Sequence, residues 1–485
     1  SVPVCGPFST YLPNTFHHEH IFFRLTAYLR SIEGESLDGG TQFFGLFPIV
    51  RFNFPVAYCI SMAEQKLAIL GGPPAVTVEA KENWPVPKER IKQAVNALID
   101  NDIWSQSGEG VPLELERRFA EYIGTDFCLL QHNGTSTLWA AYYAVGVKRG
   151  DEVIHPCYTW ICAISPAVHM GARPVFCEID PETLLIDPDD VEKRITPRTK
   201  AISVVHLYGN VCDMDAIMEI AQRHNIAVIE DASHAHGAEW DGQKVGSIGD
   251  VGCFSMQGTP PGGKALPAGE AGLITTNDRR LYERILLFCH LNRRGVAEEF
   301  TNPLYREMAP TNLGLKFRAH PWAAAAALVM LDSLDYRNQK RMEYMMKIYR
   351  ALEKIRGIDP VKILPKAKPG GFYGGMHMLY RPEELENLPV ERLIEALEAE
   401  GVDMKHRGYG LTHRLKLFSE GFDIYGDGGP LTGDYPGYPE GSLPISEEVH
   451  NRILGMPTFI HETPGYSDQV IEAMKKVTEN YRELL

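Results

Sequence analysis

The sequence predicts an α/β protein with a mostly parallel central sheet, helices on both faces, and a smaller C-terminal α+β domain. Two observations carry this expectation. Short β-branched runs alternate with helical stretches between residues 127 and 233, and strands joined through helices must run parallel. A long helical stretch around 323–356 then carries the chain away to one more strand, two helices and a Gly/Pro-rich loop.

The elements follow in order. Residues 87–101, PKERIKQAVNALIDN, repeat apolar side chains at helical spacing; LELERRFAEYIG (113–124) does the same and stops at Gly124, as a helix should. FCLLQHNGTSTLWAAYYAVG reads as a strand, a small-residue turn at Asn133-Gly134-Thr135, and a helix. DEVIHP (151–156), RPVFCEID (173–180), KAISVVHLYG (200–209) and IAVIEDAS (226–233) read as buried strands, and ligands of such sheets sit beyond the strands' carboxyl ends. After the long helix come a strand at Met376–Tyr380, a helix at Pro389–Glu400 ended by Gly401, a loop over 421–442 and a terminal helix over 467–484. The division expected is 62–330 for the large domain and 331–485 for the small one.

Residues 1–61 stand apart. They hold no helical or alternating period, and the first methionine, Met62, opens MAEQKLAILGGPPAV, which reads like a natural start. The apolar run 43–61 is broken by Pro48, Arg51, Asn53 and Pro55, too often for a membrane span. Neither a basic start nor a small-residue cleavage site suggests a signal peptide. An over-extended reading frame is the expectation, and a true N-terminal extension the alternative.

A net charge of −15 with no basic stripe argues against general nucleic-acid binding. Nine cysteines show no CxxC pair and no zinc-type Cys/His ladder, so no metal centre is expected and a reducing cytoplasm fits best. Cys157 and Cys162 read as buried thiols.

Five features fall at strand ends or loops. Asn133-Gly134-Thr135-Ser136 opens a helix whose free amides suit a phosphate; simple N-capping is the alternative. Trp160, in PCYTW after the strand DEVIH, can stack on a flat heterocycle or be a core aromatic. Asp231, in EDASH at the end of IAVI, needs a cation or several donors, because an unpaired buried charge is costly. A protonated pyridine nitrogen is one such partner, and an N-cap is the other reading. Ser255, in the pair Phe254-Ser255, can donate to the same phosphate or cap a turn. Lys264, in GGKALPAGEAG, is a candidate amine nucleophile if its surroundings lower its pKa.

The order GT…PxYTW…EDAS…FS…K…GEAG resembles the sugar aminotransferases of the DegT/StrS type, which have the pyridoxal-phosphate (PLP)-dependent transferase fold type I of aspartate aminotransferase. PVFCEIDPETLLIDP (174–188), VVHLYGNVCDMDAI (204–217), KVGSIGDVGCFS (244–255) and LPISEEVHNRILGMPTF (443–459) extend the resemblance from about Leu67 to the C-terminus. It implies that Lys264 holds PLP, that Asp231 pairs with the pyridine nitrogen and that Trp160 stacks on the ring. It further implies that Gly134, Thr135 and Ser255 hold the phosphate and that His234 lies near the cofactor's hydroxyl face.

Two departures stand out. TPPGG (259–263) intervenes before the lysine, although the spacing from Lys264 to Gly269 is the family's. The family's Gly-x-Asn-x-Arg is here Gly314-Leu315-Lys316-Phe317-Arg318, so Lys316 replaces an amide that reaches the partner's PLP phosphate in a homodimer. Members with His in place of the lysine are dehydratases, and Lys264 argues against that branch. The implied activity is ping-pong transfer of an amino group from glutamate or glutamine to a nucleotide-linked keto-sugar or a keto-cyclitol. A catalytically weakened sugar-binding or regulatory protein is the alternative; a nicotinamide enzyme lacks its GxGxxG.

Overall fold

The computed structural model describes residues 66–485 apart from 107, 292–298, 372, 407 and 427. The expected extension 1–61 and the start at Met62 lie outside the described residues.

The strands are β1 (Phe127–Gln131), β2 (Glu152–Pro156), β3 (Arg173–Cys177), β4 (Thr199–Val205), β5 (Ala227–Asp231), β6 (Glu239–Trp240), β7 (Gln243–Lys244), β8 (Val251–Ser255), β9 (Gly272–Thr276), β10 (Ile358–Pro360), β11 (Ala367–Lys368), β12 (Met376–Tyr380), β13 (Lys405–His406) and β14 (Ile453–Met456). Seven form the main sheet, in the order β1-β9-β8-β5-β4-β2-β3. Only β9 runs antiparallel to its neighbours, β1 and β8; the other pairings are parallel. β2 and β9 are buried along their whole length, so neither shows the alternation of a strand with one face in water.

Helices of ten or more residues are α1 (Lys88–Asp100), α2 (Gly110–Ile123), α3 (Gly134–Val145), α4 (Met214–His224), α5 (Arg279–Cys289), α6 (Pro321–Leu331), α7 (Leu334–Leu352), α8 (Val390–Ala399) and α9 (Tyr466–Glu479). The single helix expected over 323–356 is two. At the break the Met330 carbonyl accepts from Ser333 Oγ (3.2 Å) and Arg337 Nη2 (2.8 Å), and Asp332 is held by Arg90 and Arg118. These side-chain bonds satisfy the groups a helix interruption exposes. α6 then packs on α1 and α2, and α7 on α9 and β10.

β10, β12, β14 and β13 make an antiparallel second sheet in that order. Buried Glu400, beyond α8, accepts from the amides of Ala68 and Ala75 at 2.8 Å and from Lys476 Nζ at 2.9 Å, tying the first described residues to α9. Among the described residues, no helix is long and apolar enough to cross a membrane.

Candidate active site

Strand register assembles the site. Gly272 of β9 lies opposite Gln131 on one side and Ser255 on the other, so the chain leaving β1 reaches the end of β8. Asn133 caps α3 there: Oδ1 accepts from the Ser136 amide at 2.8 Å, while the Ser136 hydroxyl accepts from the Asn133 amide. The first two helical amides, Gly134 and Thr135, have no place in the α-helical ladder, which leaves them for an anion. A Cβ at Gly134 would stand 2.7 Å from Ser255 Cβ, so only glycine lets the helix start approach the serine this closely. Asn133 is the cap, the alternative reading of the Asn-Gly-Thr-Ser turn, and the turn also faces a cavity.

That cavity, of about 410 Å³, is lined by Gly134, Thr135, Trp160, Asp231, His234, Ser255 and Lys264. Asp231 closes β5. Its Oδ1 accepts from the Ser233 amide at 3.0 Å, and turns rather than a helix follow, so it is no N-cap. Burial pushes its carboxyl up from the ordinary range, with the nearby Lys264 amine pulling the other way. The neighbouring Glu230 accepts from Gly246, Ile248 and Gly249 amides and contacts His206 Nε2 at 3.1 Å, which fixes the end of β5.

Burial lowers the Lys264 amine to about 8, against the pull of Asp231. About one amine in ten is then free base at pH 7, a usable nucleophile and proton carrier. The TPPGG insertion does not carry this lysine away. Gly258 and Gly269 exchange backbone hydrogen bonds at 2.9 and 3.0 Å, and the Lys264 amide donates to Gln257 O at 2.9 Å. The extra residues are looped out from a closed neck.

Trp160 is 57% exposed, so it is a wall rather than a core aromatic. Its Nε1 donates to Cys162 Sγ at 3.1 Å. Cys162, expected as a buried thiol, lines the cavity; Cys157 is buried. The buried His234 Nδ1 accepts from the Tyr208 amide at 3.2 Å, which leaves the proton on Nε2, 3.3 Å from the Tyr409 hydroxyl. Burial also holds this imidazole well below its ordinary pKa.

Lys316 and Arg318 are not brought to this cavity; Lys316 is exposed, and its backbone bridges to His290. Gln257 and Tyr409 are cavity residues that sequence reasoning missed. Tyr409 follows Gly408, where a Cβ would meet the Tyr208 hydroxyl at 2.6 Å, and such a close approach is invisible in sequence. A second chamber of about 610 Å³ shares His234, Gln257, Lys264 and Tyr409 and extends toward β13 and β14.

Free amides at a helix start, a buried carboxylate, an open indole and a low-pKa amine suit a phosphorylated pyridine carbaldehyde. On this architecture they define the class: an aminotransferase of the PLP-dependent fold type I. The chain belongs to the DegT/DnrJ/EryC1/StrS aminotransferase family, whose profile matches residues 85–475. It is 33% identical over 435 residues to the L-glutamine:2-deoxy-scyllo-inosose aminotransferase of Micromonospora echinospora, covering 86% of this chain and 99% of that one. To the L-glutamine:scyllo-inosose aminotransferase of Streptomyces griseus it is 31% identical over 435 residues, covering 87% and 99%. Among solved structures it resembles DesV of S. venezuelae, with a TM-score of 0.66 and 28% identity over 81% of this chain and 95% of that one. The aminotransferase of Psychrobacter cryohalolentis gives 0.70 and 26% over 83% and 99%.

Proposed function

We propose that this aminotransferase carries PLP on Lys264 and moves an amino group from glutamine or glutamate to a keto-cyclitol. The observation that carries the cofactor reading is the buried Lys264 amine, lowered to about 8, in one cavity with Asp231, Trp160 and the Gly134–Ser255 seat. The full-length similarity to inosose aminotransferases supports the acceptor.

Gly134 and Thr135 amides and the Ser255 hydroxyl would hold the phosphate, Trp160 would lie against the ring, and Asp231 would keep the pyridine nitrogen protonated. Bound there, PLP supplies an electron sink for the pair left when a proton leaves the carbon bearing the amino group. Lys264 removes that proton and returns it elsewhere as general base and acid. His234, neutral with its proton on Nε2 beside the Tyr409 hydroxyl, would lie near the cofactor's hydroxyl face. A homodimer, with Lys316 or Arg318 reaching the second copy's phosphate, completes the seat. Their position off their own chain's cavity supports this. Activity regained on mixing Lys264→Ala with Lys316→Ala/Arg318→Ala protein is the expected sign, and none after proven subunit exchange counts against it. The absence of a disulfide among the cysteines of the described residues supports a cytoplasmic setting. Expression as a fluorescent fusion should give diffuse cytosolic signal, and export would contradict it.

Glutamine with scyllo-inosose or 2-deoxy-scyllo-inosose should give the aminocyclitol by mass spectrometry. Turnover restricted to a nucleotide-linked keto-sugar would overturn the acceptor.

A further inference from the structure

The cofactor cavity lies at the carboxyl ends of the parallel strands, and a charged cleft of about 540 Å³ lies at their amino ends. Three adjacent strands, β4, β2 and β3, each bring one arginine there. Arg198 stands just before β4, Arg149 shortly before β2, and Arg173 opens β3. Backbone bonds hold the three segments together. The Glu152 amide donates to Arg198 O at 2.8 Å, the Arg173 amide to Asp151 O at 2.8 Å, and the Gly150 amide to Gly171 O at 3.1 Å. A Cβ at Gly171 would stand 2.9 Å from Arg149 Cβ, so glycine lets these two turns close on each other. The sequence shows no basic stripe because the strands, not the local chain, gather these arginines.

Their partners differ. Arg173 is fixed by the loop over 421–442: Nε donates to Pro430 O at 3.3 Å and Nη2 to Asp434 Oδ1 at 2.5 Å. Arg198 spends Nε and Nη2 on one oxygen of Glu152, whose other oxygen takes the Thr196 hydroxyl. Its Nη1 has no acceptor among the described residues, and its side chain is 59% exposed. Arg149 lies over the Tyr425 ring, 5.0 Å from Cζ to the centroid, and its guanidinium has no hydrogen-bond or carboxylate partner among the described residues.

Asp434 is the one carboxylate lining the cleft among the described residues. Arg173 holds it below its ordinary pKa and Arg198 adds to the pull, so these charges lie within reach of one another. Glu152 sits beneath Arg198 and off the lining, with both oxygens occupied. Three guanidiniums thus face one lining carboxylate, in a chain whose net charge is −15. Collecting like charges costs Coulomb energy, which an anion between them relieves.

We propose that this cleft binds the phosphate group of a phosphate monoester, with Arg149 and Arg198 as its ligands and Arg173 as the post that fixes the loop beside them. A phosphate presents acceptors on several sides, so it can take guanidinium forks arriving from separate strands. At about 30 Å³ for each water displaced, the cleft is much larger than a bare anion needs. The rest is room for the organic part of the ester. Such a ligand is no reactant of the amino transfer, because no residue of the cofactor cavity lines this cleft. The proposal does not rest on the aminotransferase reading.

Calorimetric titration of the holoenzyme at low salt tests this with glycerol phosphate, inorganic phosphate and glycerol. Cofactor already bound keeps the probes from the helix start at Gly134. The wild type should bind glycerol phosphate saturably at one site per chain, at least as tightly as inorganic phosphate, and should not bind glycerol. Arg149→Gln should weaken binding on the order of 10-fold, the value of a hydrogen bond to a charged group. Amino transfer measured without phosphate should not change in this variant. Arg149→Lys, which keeps the charge and guards against a folding defect in the glutamine variant, should recover part of the affinity. No saturable binding of glycerol phosphate, tighter binding of the free ion, or an affinity that Arg149→Gln leaves unchanged overturns the assignment.

Discussion

Replacing Lys264 with Met should stabilise the cofactor-free protein at neutral pH. Burial moves the amine from 10.5 to about 8. At about 1.4 kcal/mol for each tenfold in acidity, this is roughly 3 kcal/mol against the charged form. The cavity admits water, so we expect about 2 kcal/mol to survive screening. The sign follows from proton counting. Below pH 8 the amine is protonated folded and unfolded, and the full burial cost is present. Between 8 and 10.5 the unfolded chain binds more proton than the folded one, so wild-type stability rises toward that of the variant. Urea unfolding of cofactor-free wild type and Lys264→Met at pH 7, 8.5 and 10 measures the gap. Met of similar length should lead by about 2 kcal/mol at pH 7 and lose most of that lead at pH 10. Equal stability at pH 7, or a gap that ignores pH, would refute the claim that burial activates this lysine.

Gly134→Ala places a methyl 2.7 Å from Ser255 Cβ. It should cost about 1–3 kcal/mol by overpacking, read as a lower melting temperature together with faster cofactor loss on dialysis; unchanged retention would remove the seat from this position. Asp231→Asn can still accept from the Ser233 amide and should remain folded. Without the charge, turnover should fall at least on the order of 100-fold, and near-normal half-reaction rates would count against the role given to Asp231.

Much of the fold was legible because its signals are local. β-branched runs marked β2 to β5, and Gly124, taking up a left-handed conformation at φ +83, marked the end of α2. Asn133 was legible as a cap because that role belongs to the first turn of a helix. Other features depend on distant partners. The break between α6 and α7 carries neither Gly nor Pro; Arg90 and Arg118 on α1 and α2 hold it open through Asp332. β14, ILGM, is short and wholly buried, so it has no period to show. Tyr409 enters the site from a loop far along the chain, and nothing near it in sequence announces a cavity. Trp160 was ambiguous until its exposure was known.

Mapping the residue that carries the cofactor tests the central claim most directly. Borohydride reduction of the purified yellow protein, followed by proteolysis and mass spectrometry, should find the pyridoxyl group on the peptide containing Lys264 and no other. Label on a different lysine, or a colourless protein that takes no label with added PLP, would contradict the account.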